Sequence, residues 1–174
     1  MIARIIDSSV SPVPQLIGAS GTTLITQSSD VYTIGPDQIV RVWNVSGSVS
    51  PNAAGDEGAL TVTAAQIVAE LYGDLGASQF IGDLVLAVLP FLGGPMPLAG
   101  APGASLRSDF HDRPIVEIHG QTVVGDASAT GTKTPQSVLF ILQASVTNST
   151  AVAKDVNADL VVMLSVEQQG ATDR

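Results

Sequence analysis

Short runs of Val, Ile, Leu and Thr, broken by clusters of Gly, Pro, Ser, Asn and Asp, recur along the whole chain. Such runs read as strands of an antiparallel protein, because β-branched side chains suit a pleated surface and the breakers suit turns. The pattern predicts strands over 3–9, 22–27, 39–46, 59–62, 114–124, 137–147 and 159–167. Tight hairpin dipeptides such as Asn-Gly are scarce between them. The connections are therefore expected to cross between sheets, as in a Greek-key or jelly-roll sandwich.

Two segments carry a helical pattern instead. In TAAQIVAELYG, Thr63 and Gln66 have the spacing of a capping box and Gly73 supplies a left-handed stop, so 64–72 is expected to be helical. Ile67, Val68, Leu71 and Tyr72 then share one side, facing a sheet or a barrel end. In SQFIGDLVLAVLP, Ser78 as N-cap and Pro90 as terminator permit a second helix, and Phe80, Ile81, Leu84, Val88 and Leu89 keep helical spacing. A buried strand over 84–89 is the alternative, and it would be the eighth.

The apolar stretch 83–105 is too interrupted to span a bilayer as a helix. Pro90, Pro95, Pro97 and Pro102 each remove a backbone donor, and Gly93, Gly94, Gly100 and Gly103 loosen the chain. Its first half, 84–89, is expected in the core. Its second half, LGGPMPLAGAPGA, is an uncharged loop that, with the adjoining Phe91, either presents Leu92, Pro95, Met96, Pro97 and Leu98 to a neighbour or folds back over its own core edge.

The last two strands are apolar on both alternating faces. In DLVVMLSVE, Leu160, Val162, Leu164 and Val166 share one face while Val161 and Met163 share the other. A sheet with one wet side alternates apolar and polar, so both faces here call for a cover. Trp43, in IVRVWNVS, is expected as core packing or an interface anchor ahead of a ligand platform.

Composition reinforces this reading. Only 13% of the 174 residues are charged while 45% are hydrophobic, against a charged share of about 25% in ordinary soluble domains. Permanent neighbours are the expected cover for that surface. The formal charge is −9, and the seven cations are scattered, which argues against a nucleic-acid partner. Cysteine is absent, removing disulfides and thiolate chemistry. The opening residues, MIARIIDSSVSPVPQ, hold no long apolar region, so no secretory signal is expected and the protein is expected to fold in a cytoplasm. The length fits one domain over 1–174.

Candidate chemistry is sparse. His111 and His119, with Asp109, Asp112 and Glu117, make the best metal candidate; if 114–120 is a strand, Glu117 and His119 point the same way. No third ligand has fixed geometry, and a polar strand face with a solvated histidine is the favoured reading. DVNAD, 155–159, begins like a calcium loop, but Leu160 stands where glycine is needed and Val166 where glutamate is needed. A turn between the last two strands is expected there. The sequons at Asn44 and Asn148 are read as incidental, and no nucleophile elbow, Walker loop or dinucleotide fingerprint occurs. No enzyme activity, cofactor, metal or small-molecule substrate is expected.

The terminal strands SVLFILQASVTNS and ADLVVMLSVEQQ, the strand QIVRVWNVSGSVS and the loop LGGPMPLAGAPG together resemble the single jelly-roll major capsid proteins of tailless icosahedral viruses with an internal membrane. The likeness is nearest to the small coat protein of the sphaerolipovirus type, which infects thermophilic bacteria and haloarchaea. It implies an all-β single jelly roll, eight antiparallel strands with one or two short inserted helices. It also implies a coat subunit of the virion that self-associates and pairs with a second, larger coat protein near a lipid layer. Candidate assembly contacts are Trp43, Phe91, Leu92, Pro95, Met96, Pro97, Leu98, Val161 and Met163. The alternatives are a β-sandwich module for glycans or cell surfaces, using Trp43, Tyr32 or Tyr72, and a cupin-like metalloenzyme around His111 and His119.

Overall fold

Alternating side-chain direction along two pairs of long strands builds the core. The computed structural model describes residues 2–7, 14–56, 58–89, 94–95, 104–109, 113–120 and 135–168. Its strands are β1 (Ile2–Asp7), β2 (Gln15–Ile17), β3 (Thr22–Ser28), β4 (Tyr32–Thr33), β5 (Gln38–Pro51), β6 (Leu60–Tyr72), β7 (Phe80–Leu89), β8 (Gly94–Pro95), β9 (Ala104–Asp109), β10 (Val116–His119), β11 (Ser137–Asn148) and β12 (Lys154–Gln168). One six-stranded sheet runs β1-β12-β5-β10, with β2 also on β12 and β9 also on β5; the other runs β3-β11-β6-β7, with β4 on β11 and β8 on β6. Every pairing is antiparallel.

Consecutive short strands that share a partner (β1 with β2, β3 with β4, β7 with β8, β9 with β10) act as single interrupted strands. The twelve segments then reduce to eight, ordered 1-8-3-6 in one sheet and 2-7-4-5 in the other. Each connection but the one from β6 to β7 crosses between sheets. This double Greek key is the jelly roll.

On the inner face, β12 contributes Val156, Ala158, Leu160, Val162 and Leu164, and β11 contributes Val138, Phe140, Leu142, Ala144 and Val146. Opposite stand Val40, Val42, Val45 and Val49 of β5 and Leu60, Val62, Ala65, Ile67 and Ala69 of β6. All join one buried cluster, each large side chain contributing about 1.5–3 kcal/mol of transfer free energy. A register shift between Met163 and Leu164, opposite Trp43, keeps Val42 and Val45 both inward although they are three residues apart. Gly47 lets the sheets close up: a Cβ there would lie 3.0 Å from Leu142 Cδ1 and 3.3 Å from Ile67 Cδ1.

The structure corrects both helical expectations, since among the described residues there is no helix, and so none long and apolar enough to cross a membrane. Residues 64–72 continue β6, which lies between β11 and β7 and is paired along both edges. The supposed capping residues serve the sheet instead. Gln66 Nε2 donates to Gln143 Oε1 at 2.7 Å, and Thr63 Oγ1 donates to the Ser145 carbonyl at 3.3 Å. Pairing on two sides outweighs a local preference that is worth only tenths of a kcal/mol per residue.

Residues 80–89 form β7, and Ser78 closes a hairpin loop in place of capping a helix. Asp74 Oδ1 accepts from the backbone of Ser78 at 3.0 Å and of Gln79 at 2.8 Å, and Ser78 Oγ donates to Asp74 Oδ2 at 2.5 Å. These bonds, with the one from Ser78 Oγ foremost, hold the Asp74 carboxyl below its ordinary value.

The expected turn at 155–159 is also corrected: those residues belong to β12, with Val156 and Ala158 inward and Asp155, Asn157 and Asp159 outward. The turn lies at 149–153, organised by Asn148. Its side-chain oxygen accepts from Thr150 N at 2.9 Å and its Nδ2 donates to the Val152 carbonyl at 2.8 Å and the Gly18 carbonyl at 3.2 Å. Asn148 is 1% exposed, so its sequon is a structural amide. The strand expected over 114–124 is β10, and 121–124 lie outside the described residues.

Gly120 is buried and donates to the Gln38 carbonyl at 2.8 Å. A Cβ there would press into the Gly35 carbonyl oxygen and lie 2.9 Å from Ile34 Cγ2. Gly120→Ala should therefore cost about 1–3 kcal/mol, as overpacking does. Urea unfolding checks this, and an unchanged midpoint would contradict it.

Candidate assembly surfaces

The outer faces of the two sheets are where candidate chemistry and surplus apolar surface meet. On the sheet containing β5 and β12, the outward residues of β12 include Val161, Met163, Ser165 and Glu167, since their neighbours Leu160, Val162 and Leu164 are 0% exposed inside. Met163 is 44% exposed. Trp43 lies on this same outer face: its indole Nε1 donates to Ser165 Oγ at 2.7 Å, and Ser165 is buried beneath it. The tryptophan is thus absent from the core and has its polar atom satisfied within the chain.

One end of this face is polar. Arg41 Nε donates to Glu117 Oε1 at 2.7 Å, and its Nη1 bonds Glu167 Oε2, so one guanidinium ties β5 to β10 and β12. The hydrogen bond from Arg41 is the main reason that Glu117 is held below 4.5. In turn, the bonds that Arg41 donates to Glu117 and Glu167 push its own pKa up. Glu117 and His119 do point the same way, with His119 Nε2 at 3.7 Å from Glu117 Oε2. His111 and Asp112 lie outside the described residues, and only the backbone of Asp109 is described. Among the described residues no group of three or more His, Asp and Glu is placed to hold a metal ion.

The other sheet ends in β7, an edge strand that leaves Phe80 55%, Val85 56% and Val88 59% exposed. Register sets Phe80 beside Tyr72, Val85 beside Val68 and Val88 beside Gln66. The Tyr72 and Phe80 rings meet edge to face, their centroids 5.9 Å apart. Tyr72 Oη donates to Glu70 Oε2 at 2.5 Å, and that bond is the first cause pushing the phenol up to about 12. Glu70 stands in register with Asp83, between the Phe80 and Val85 positions, so a carboxylate pair separates Phe80 from Val85 and Val88.

Of the residues singled out from the sequence, the structure places Trp43, Val161 and Met163 together on one outer face. Pro95 is described in its backbone, pairing with Thr61 in β8. Phe91, Leu92, Met96, Pro97 and Leu98 lie outside the described residues. Sequence reasoning missed the line of Phe80, Val85 and Val88. It had put 84–89 wholly in the core, whereas in β7 Leu86 and Ala87 are buried and Val85 and Val88 face out. The register shift between Ile67 and Val68, at Leu86, hides this alternation in the sequence.

No protein-family model and no curated protein matches the chain. Among solved structures it is similar to a chain in the structure of infectious bursal disease virus, Gx strain, at 12% identity and a TM-score of 0.47, covering 98% of this chain and 34% of that one. The corresponding Gt strain structure gives 11% identity and a TM-score of 0.44, covering 98% of this chain and 33% of that one. The chain thus spans about a third of the length of the chains it matches. The fold assignment rests on the strand order above, not on these scores.

The Arg41 pair gives a pH signature. Because the folded Glu117 is held below 4.5, it stabilises the fold above that pH and loses the contribution as pH falls through its folded value. Arg41→Met should therefore be less stable than wild type at neutral pH, with the gap narrowing below about 4.5. Urea midpoints across that range check it, and a gap independent of pH would contradict it.

Proposed function

We propose that this protein is the small major coat subunit of an icosahedral virion, self-associating and packing beside a second, larger coat protein. The observation that carries the reading is the line of Phe80, Val85 and Val88 along an edge strand, each more than half exposed. A lone soluble chain gains nothing from such a line, while a tiled subunit buries it. Three further features support the reading. Met163 and Val161 leave a second apolar area on the opposite sheet. The jelly-roll strand order suits a tile, because it presents two sheet faces and two ends to neighbours. The charged share of 13% suits a surface mostly covered by other chains.

The sphaerolipovirus-type assignment, one domain over 1–174, residence in the virion after synthesis in a host cytoplasm and proximity to an internal membrane belong to this same proposal. The single domain rests on chain length and the others on the sequence reading. Function here is association and needs no catalytic group or cofactor. Within it, Phe91, Leu92, Pro95, Met96, Pro97 and Leu98 form a loop contact, and Trp43, Val161 and Met163 a face contact. The glycan-module reading is weaker, because the Trp43 indole N–H and the Tyr72 hydroxyl are both engaged inside the chain.

Val85→Asp combined with Val88→Asp should leave the protomer folded, since exposed substitutions away from special features change stability little. The pair should weaken association roughly a hundredfold or more, the worth of two valine side chains leaving an apolar contact. Size-exclusion chromatography with light scattering reads both. A wild type that stays monomeric at high concentration, or a double variant that associates as the wild type does, would contradict the proposal.

A further inference from the structure

β3 ends its sheet, paired with β11 alone among the described residues, so its second edge turns backbone N–H and C=O groups away from the sheet. Its sequence, TTLITQS, holds no charge, proline or glycine, and its register with β11 runs without a shift from Thr22 to Ser28. Uncharged segments of this length and β-propensity are the ones that add strands from other chains, and Leu24 stands 63% exposed within it. The usual protections of an edge, a charged side chain, a proline or a bulge, are absent from the strand itself.

A side chain from the other sheet supplies one. Gln15 Nε2 donates to the Thr26 carbonyl at 2.8 Å, and Gln15 Oε1 accepts from the Thr26 N–H at 3.1 Å. Gln15 belongs to β2, which pairs with β12. It lies two residues from Ile17, which is 0% exposed in the core, so alternation sends its side chain off β2 on the inner side, and at the rim it reaches β3. Antiparallel pairing turns the N–H and C=O of every second residue to the same edge, so Leu24 and Ser28 share the direction of Thr26. A primary amide carries the donor and the acceptor of a peptide group. At Thr26 it therefore makes both bonds that a residue of an added antiparallel strand would make.

We propose that Gln15 is an edge guard: its amide stands in for a peptide group at Thr26 and keeps β3 from pairing with β3 of a second copy of the chain. Such pairing is self-complementary, because an antiparallel ladder of one strand with itself has a two-fold axis. The guard is independent of the coat reading. Where that reading holds, it leaves association to the outer faces.

Gln15→Ala removes the amide; should that variant not fold, Gln15→Met, of similar length and without an amide, serves in its place. Exchange of the Thr26 amide, followed by NMR in dilute solution, is expected to quicken roughly tenfold. Light scattering is expected to show association roughly tenfold or more tighter than that of wild type, with hydrogen exchange over 22–28 slowed in the associated variant. Unchanged Thr26 exchange, association no tighter than in wild type, or tighter association that leaves 22–28 unprotected would each overturn the proposal. The comparison is repeated in the Val85→Asp, Val88→Asp background. Tightening that persists there supports edge pairing through β3, and tightening that vanishes there runs through β7 and overturns the guard. A wild type that stays monomeric contradicts the coat reading alone, because removal of the Gln15 amide still reports on the edge.

Discussion

Two long antiparallel ladders, β5 with β12 and β6 with β11, carry the rest of the structure. Each is formed by strands from distant parts of the chain, and each turns one row of Val, Leu, Ile, Phe and Ala side chains inward. Neither ladder is stable alone, because a two-stranded ribbon buries too little. Pressed together they hide their inner rows, and every shorter strand is then an edge addition to one of the four central strands. Gly47 shows how tight the fit is, since Leu142 and Ile67 lie where a side chain would otherwise be. Such non-local pairing is entropically costly to begin, which is why the strands are long and the registers are pinned by bulges.

The same ladders create the surface problem. A strand that must bury one face needs apolar residues on that face only, yet β7 and β12 carry them on both. Polar devices are spread between these areas: the Arg41 clamp, the Tyr72–Glu70 bond and the Trp43–Ser165 bond each satisfy groups within the chain. The outer faces are therefore finished in polar patches and unfinished at Phe80, Val85, Val88 and Met163. Under the coat reading proposed above, burial by neighbours accounts for that division.

The sequence was most legible where side-chain period and strand length agreed. The strands at 22–27, 39–46, 137–147 and 159–167 were visible from β-branched runs between breakers, and the two-sided character of 159–167 from its lack of alternation. It was least legible in β6 and β7, where Ala, Gln, Glu and Leu give a helix-like local pattern and bulges break the period of two. Only the partners on both sides of β6 decide its state, and a single sequence does not display them. The Asp155–Asp159 misreading has a similar origin: polar residues that serve turns also serve the wet side of a strand, and the real turn is organised by Asn148 from within β11. Trp43 was expected either in the core or as an interface anchor, and its place on the outer face depended on a bulge that the sequence does not display.

The central claim is that neighbouring chains cover the apolar outer surface. Hydrogen–deuterium exchange of the associated against the dissociated protein tests it most directly, peptide by peptide. The account predicts slowed exchange over 80–89 on association, with the solvent-facing turn at 149–153 unchanged. Equal exchange over 80–89 in the two states would contradict it.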